Sequence, residues 1–473
     1  MTLVKPSETA LSARVLNVAI VIIGVLAAIA MAWPLARLGI HYPIDGNESW
    51  NALLADRAMG NGELYPSIHG TFFNNYPPLS FYIVGLAGQL IGDNIVAGRL
   101  ISLTSILIIG ANIAWIVRNL GGELRPAILA GALFAAIMAK SFTGYAGVDD
   151  PQLLAQAVMS FGFAIFSAGP RQLNNVAAGA LIMVAAGFIK HNIVAMPLAA
   201  TLWLAQYNRP MLVRWLALSL ALLAAGFALC GALFGPDFFA QLTQLRSYHL
   251  MTALTSLGRI QAFIVPLIVW VAIAVQLKTD PQLRMVTYLI IAGAVEYALT
   301  QPGDGVAWNC FFDWAVGACV GLGVGMSRLG EIRSARRFGL VRTEALIVVA
   351  LVLRQILLPS HELLHLPAAL ADLRMKEAGL APDLTFMRGH SGPAVCEEMV
   401  LCYWSGHQSL LDLFGTYQAR LHGQPNYDDL KASVSRGELS LLQLFHGSGL
   451  AAPAVTSGLY QRYETRNSVF FYR

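Results

Sequence analysis

Apolar runs of about 15–22 residues recur along the first three quarters of the chain, close to the length a helix needs to cross a bilayer. They fall near 16–38, 100–117, 125–140, 152–168, 176–190, 192–206, 214–234, 260–277, 284–300, 311–327 and 343–359, which predicts eleven spans. A further apolar stretch at 79–91 is too short to cross and reads as an interfacial helix within the first long loop. After residue 360 the pattern changes. HELLHLPAALADLRMKEAGLAPD is an amphipathic connection, and the rest alternates short patterns. GPAVCEEMVLCYWSG reads as strand then helix, LLDLFGTYQARLHG and DDLKASVSRG as helices, SLLQLF as a strand, and YQRYE and SVFFYR as closing strands. The expected architecture is therefore a mainly α, polytopic membrane protein of about eleven transmembrane helices, with a small C-terminal α/β domain. The membrane domain spans 1–360, with a first outer loop over about 40–99, and the terminal domain spans 361–473.

Loop charges give this layout a direction. With the N-terminus, carrying Lys5 and Arg14, on the cytoplasmic side, the inner connections hold Arg118, Arg125, Arg171, Arg209, Arg214, Lys278 and Arg284. The last inner connection adds Arg328, Arg333, Arg336, Arg337 and Arg342. The outer side keeps few cations, chiefly Arg57, Arg99, Lys140, Lys190, Arg246 and Arg259. Positively charged loops stay inside, so an odd number of spans puts the terminal domain outside, in an integral inner (plasma) membrane protein.

Composition agrees with a membrane chain. Of 473 residues, 56% are hydrophobic and 12% charged, with mean hydropathy +0.59 and net charge +4. The first run, Val15 to Ile40, is too long for a signal-peptide core and reads as a retained anchor. No basic tract interleaved with aromatics points to nucleic acid. The five cysteines show no metal-ligand spacing; Cys396 and Cys402 are open to pairing in an extracytoplasmic domain or to burial as free thiols. No Walker loop, dinucleotide glycine fingerprint, HExxH or CxxC pair occurs, so a soluble nucleotide donor and a zinc centre lack support.

Candidate chemistry concentrates on the outer side. Asp45 and Glu48, directly after the first span, lie three apart and share a face of one helical turn. A general base that takes a proton from an acceptor hydroxyl fits there; so does a capping box, with Asp45 as N-cap and Glu48 at the third helical position. NNYPPLSFY brings Tyr76 and Tyr82 to the interface, where aromatic belts are also common. Asp149 and Asp150 precede a proline at a span mouth, a helix start as well as a costly pair of acids. Lys190 and His191 end a span and could hold a phosphate; a lysine alone would snorkel. Arg246, His249 and Arg259 sit in an aromatic outer loop, and Asn309 and Asp313 in another. Taken singly, each has a plain structural explanation, but all fall on one face.

The order of these motifs resembles a family. An acidic motif after the first span, YPPL at an interfacial helix, GRLIS opening the second span, a second acidic pair and FIKH at 188–191 are similar to GT-C glycosyltransferases. The branch it looks like contains protein O-mannosyltransferases and the aminoarabinose transferases acting on lipid A. The resemblance covers about 15–360. It implies a polyprenyl-phosphate-linked sugar donor and inverting transfer to a lipid, glycan or protein hydroxyl on the outer face. It also implies a first-loop acid as base, here Asp45 or Glu48, with Asp149 and Asp150 in the catalytic set. Some relatives carry a lysine before Pro-Pro where this chain has Tyr76. The donor phosphate would then fall to Lys190, His191, Arg246 or Arg259, with Tyr76, Tyr82, His249, Asn309 and Asp313 left to contact substrate. Members differ in using a divalent metal ion, which leaves metal dependence open. The terminal domain departs from the pattern, so no acceptor is carried over. The rival readings are a lipid or sugar transporter or flippase, for which Glu296 is the one acid well inside a span, and a non-catalytic scaffold.

Overall fold

The computed structural model describes residues 6–277, 280–357 and 361–473. Lys5 and Lys278 of the charge argument lie outside the described residues, as does 358–360, where the expected domain boundary falls. All eleven apolar runs are helical over most of their length. Among the described residues, seven helices are long and apolar enough to cross a membrane, and an eighth crossing results if Leu250–Ala262 and Ile264–Ala274, bent by 84°, form one broken span. The other three are shorter, Leu173–Gly187, Ala195–Tyr207 and Leu340–Ile356, at 15, 13 and 17 residues. The first two stop short for a visible reason: the polar turn around Lys190 and His191 interrupts one apolar stretch. Leu79–Ile91 is a separate 13-residue helix, as its length requires.

Small residues let the helices approach closely. A Cβ on Gly131 would stand 2.2 Å from the Gly110 carbonyl oxygen, so Asn94–Asn119 and Leu124–Ser141 cross backbone to backbone there. Polar loops segregate to the two ends of the bundle. At one end Arg328 reaches Asp280 at 3.0 Å, the Glu123 N–H donates to Ser327 Oγ, and Asn119 donates to Ser167 Oγ.

At the other end the first loop meets the C-terminal sheet. Strands β1 (Ala394–Cys396), β2 (Leu441–Leu444), β3 (Gln461–Glu464) and β4 (Val469–Tyr472) form one sheet in the order β1-β2-β4-β3. β1 runs parallel to β2, and the other pairs are antiparallel. Each expected strand and helix of this region is present. Cys396 and Cys402 are disulfide-bonded. The sheet domain docks by specific bonds: Trp404 Nε1 donates to Asp93, Arg57 to the Ser409 carbonyl, and Thr71 to the Leu410 carbonyl.

Candidate active site

Asp45 begins the site because the chain must turn there. Its backbone is extended, and its carboxylate accepts the Asn47 N–H at 2.8 Å, capping the helix Gly46–Ala58. That places Glu48 one turn in, pointing to the interior. Glu48 is fully buried and forms a bidentate pair with equally buried Arg99, at 2.8 and 2.7 Å. It also accepts the Ile44 and Asp149 N–H groups. The remaining Arg99 donors go to the carbonyls of Arg37, Leu38, Ile40 and Tyr42. A charge so enclosed folds the loop and has no lone pair left for a substrate. The two acids that sequence spacing treats as alternatives thus stand in different environments.

The second acidic pair divides in the same way. Asp149 is 2% exposed, packed against Gly98, where a Cβ would overlap its Oδ1. Burial first, then Glu48 and Asp150, push its carboxyl well above the carboxylate range. Asp150 caps Pro151–Ala168 and faces Lys190 Nζ at 3.3 Å. Lys190 is 1% exposed and stands 4.8 Å above the Tyr76 ring. Burial opposes its charge, but Asp150 and Tyr76 outweigh this and hold the ammonium above its ordinary value. Lys190 thus places a cation beside the Tyr76 ring. The loops are tied directly, too: the Leu79 N–H donates to the Phe188 carbonyl.

Next to these groups lies a cavity of about 400 Å³ between the bundle and the sheet domain, and Glu48, Asp149 and Lys190 are not part of its lining. Asp45, Asp150, Tyr76, Arg246 and Asn309 line it. The surrounding protein, with Asp150 and Glu48 adding repulsion, raises the Asp45 carboxyl above its ordinary value against the Asn47 bond. Arg246 donates to the Asp304 carbonyl and packs on the Phe414 ring, leaving other guanidinium donors toward the cavity. Ser49 Oγ, Asn309 Oδ1 and Gln244 Nε2 are buried here without a partner among the described residues, as in a site shaped for a polar ligand.

Other expected site residues do not line this cavity. Arg259 stacks on Trp308 at 3.5 Å, and His249 pairs with Asp304 at 3.4 Å in an exposed position. Tyr82 packs into the apolar cluster under the first loop. Asp313 is buried in its helix and accepts from Gln156 Nε2. His191 is exposed, its ring 6.2 Å from that of Tyr76. Glu296, the acid that favoured a transporter, accepts the Val194 and Ala195 N–H groups and so caps the helix Ala195–Tyr207.

The sheet domain contributes a wall that the sequence reading did not foresee. Glu397, Glu398, Asp412, Phe414 and Gln418 all reach the cavity. Asp412 caps Leu413–Leu421 and is pushed up to about 6 by burial. The signal was the acidic pair in CEEMVLC at a strand-to-helix turn, but nothing local shows that this turn faces the membrane domain. Among the described residues no group of three or more His, Cys, Asp or Glu side chains is arranged to hold a metal ion.

No family model and no curated protein matches the sequence. Solved structures do match the fold. ArnT from Cupriavidus metallidurans bound to undecaprenyl phosphate superposes with a TM-score of 0.64 at 15% identity, covering 94% of this chain and 97% of that one. Its apo form gives 0.64 at 13%. The oligosaccharyltransferase AglB from Archaeoglobus fulgidus, in complex with an inhibitory peptide and a dolichol-phosphate, gives 0.54 at 9%, over 96% of this chain and 74% of that one. The chain therefore has the GT-C fold that its motif order resembles.

Proposed function

We propose that this protein is an integral-membrane glycosyltransferase that moves a sugar from a polyprenyl-phosphate donor to an acceptor hydroxyl, with inversion, on the outer face of the membrane. The observation that carries the reading is the cavity itself, where a carboxylate (Asp45) and cations (Arg246, and Lys190 behind Tyr76) approach the same space from different loops. Both polyprenyl-linked ligands seen in proteins of this fold, undecaprenyl phosphate and dolichol-phosphate, are consistent with it.

In this reading Asp45 accepts the proton of the acceptor hydroxyl as its oxygen attacks the anomeric carbon. The bond from that carbon to the phosphate oxygen breaks, and the electron pair leaves with polyprenyl phosphate. Arg246 and the Lys190–Asp150 pair stabilise the charge developing there; preorganised cations at a leaving group are among the larger catalytic contributions. Asp150 keeps Lys190 charged and in place. Asp149 and Glu48 hold the loops.

Two features support the outer-face assignment. The arginine-rich loops gather at the end of the bundle away from the cavity, and the Cys396–Cys402 disulfide suits an oxidising compartment. The transporter alternative loses its main residue, since Glu296 serves as a helix cap. The test is to incubate purified protein in detergent with labelled polyprenyl-phosphate sugars and, separately, nucleotide sugars, in the presence of a membrane extract. Release of polyprenyl phosphate with label passing to the extract supports the reading; transfer from the nucleotide sugars alone sinks it.

A further inference from the structure

A second cavity, of about 330 Å³, lies in the sheet domain, between the helix Leu366–Arg388 and the turn joining β3 to β4. It is not separate from the first. Glu398 borders both, and the loop 42–45 presents Tyr42 to one and Asp45 to the other. The two cavities therefore form neighbouring compartments with one carboxylate at their junction.

The lining of the second compartment has a definite chemistry. Asp383 is fully buried, with Oδ2 accepting from Ser468 Oγ at 2.7 Å and Oδ1 left without a partner among the described residues. Glu398 and Arg466 form no ion pair among the described residues, and Arg466 is exposed at the rim. Phe445 is 41% exposed, and Tyr42 lies beneath Lys376. Carboxylate acceptors, a forked donor and the exposed Phe445 ring in one small concavity match a ring with an apolar face and an edge of hydroxyl groups.

The disulfide fixes this junction. Cys396 closes β1 and Cys402 lies in the helix Met399–Ser405, so the bond brackets Glu397 and Glu398. Glu397 borders the first cavity only and is held by the Phe445 N–H and Ser448 Oγ, whereas Glu398 borders both.

We propose that the compartment bordered by Asp383, Glu398, Arg466 and Phe445 is an acceptor subsite that binds the sugar rings of a hydroxyl-rich acceptor, whether a free glycan or a glycolipid head group, and leads one hydroxyl past Glu398 to Asp45. This rests on the glycosyltransfer reading above and names the acceptor class for it.

The experiment uses full-length protein and the labelled polyprenyl-phosphate sugar that wild type consumes. Label released to water is counted separately from label transferred to the glycan, lipid and protein fractions of a membrane extract. Arg466→Glu and Phe445→Ala change exposed side chains and leave the fold intact. Both should cut transfer tenfold or more while hydrolysis of the donor stays within twofold of wild type. Transfer in the glycan fraction marks a free glycan as the source, and in the lipid fraction a glycolipid. Unchanged transfer in both variants overturns the subsite, as do equal losses of transfer and hydrolysis or label confined to the protein fraction. Failure of the glycosyltransfer reading is distinct: wild type then neither hydrolyses nor transfers the donor, and the subsite falls with it.

Discussion

Glu48 and Arg99 meet as a bidentate ion pair from which solvent is wholly excluded, one from the first loop and the other from the second span. Removing one partner of such a pair strands the other charge, at a cost of about 3–5 kcal/mol. Glu48→Ala should therefore lower the melting temperature sharply in detergent, with loss of activity following loss of fold. Asp45→Asn should leave melting near wild type, because asparagine caps a helix as well as aspartate does. Thermal unfolding of both variants followed by intrinsic fluorescence checks the contrast.

Lys190 and Arg246 are assigned to the donor phosphate. Hydrogen bonds to charged groups contribute about 1.5–3 kcal/mol each, so Lys190→Met and Arg246→Ala should each weaken donor binding at least tenfold. Donor KM in a transfer assay measures this. Arg259→Ala, which removes a side chain stacked outside the cavity, should leave donor KM unchanged.

Asp412 makes stability depend on pH. Its carboxyl rises on folding from the ordinary 3.8 to about 6, through burial. The folded protein thus holds the proton more tightly than the unfolded chain. The stabilisation is complete below about pH 4 and is lost as pH rises through about 6, an upper bound of about 3 kcal/mol. Asp412→Asn keeps the cap and removes the titration. Melting temperatures from pH 4 to 7 should fall with an Asp412-dependent component in wild type, and that component should vanish in the variant.

Much of this was legible in the chain because it rests on local rules. The apolar runs coincide with the seven helices that, among the described residues, are long and apolar enough to cross a membrane, and proline and aspartate at 150–151 marked a helix start that the structure keeps. What spacing could not decide was burial. Asp45 and Glu48 share a helical turn, yet only the long-range arrival of Arg99 makes one structural and leaves the other facing the cavity. Lys190 beside Tyr76 is equally non-local, joining loops more than a hundred residues apart. The wall formed by Glu398 and Asp412 was hidden for the same reason, since it depends on how the sheet domain docks rather than on any motif. At 176–206 the two short runs read from the sequence appear as helices of 15 and 13 residues flanking a polar turn.

The acidity of Asp45 carries over to the rate. A base must be ionised, and this carboxyl is raised by the surrounding protein and by Asp150 and Glu48. The acid limb of kcat should therefore lie above the ordinary carboxylate range, with activity rising as pH increases. Asp150→Asn, which removes one source of repulsion, should shift that limb to lower pH. A pH–rate profile of both proteins reads the shift.

The most direct measurement is the turnover of a labelled polyprenyl-phosphate sugar by wild type and by Asp45→Asn, at saturating donor and acceptor extract. A positioned general base contributes about 10²–10⁴-fold. The variant should therefore lose at least a hundredfold in kcat while its melting temperature and donor KM stay close to wild type. Equal turnover by the two proteins would contradict the assignment of Asp45 and, with it, the proposed chemistry of the cavity.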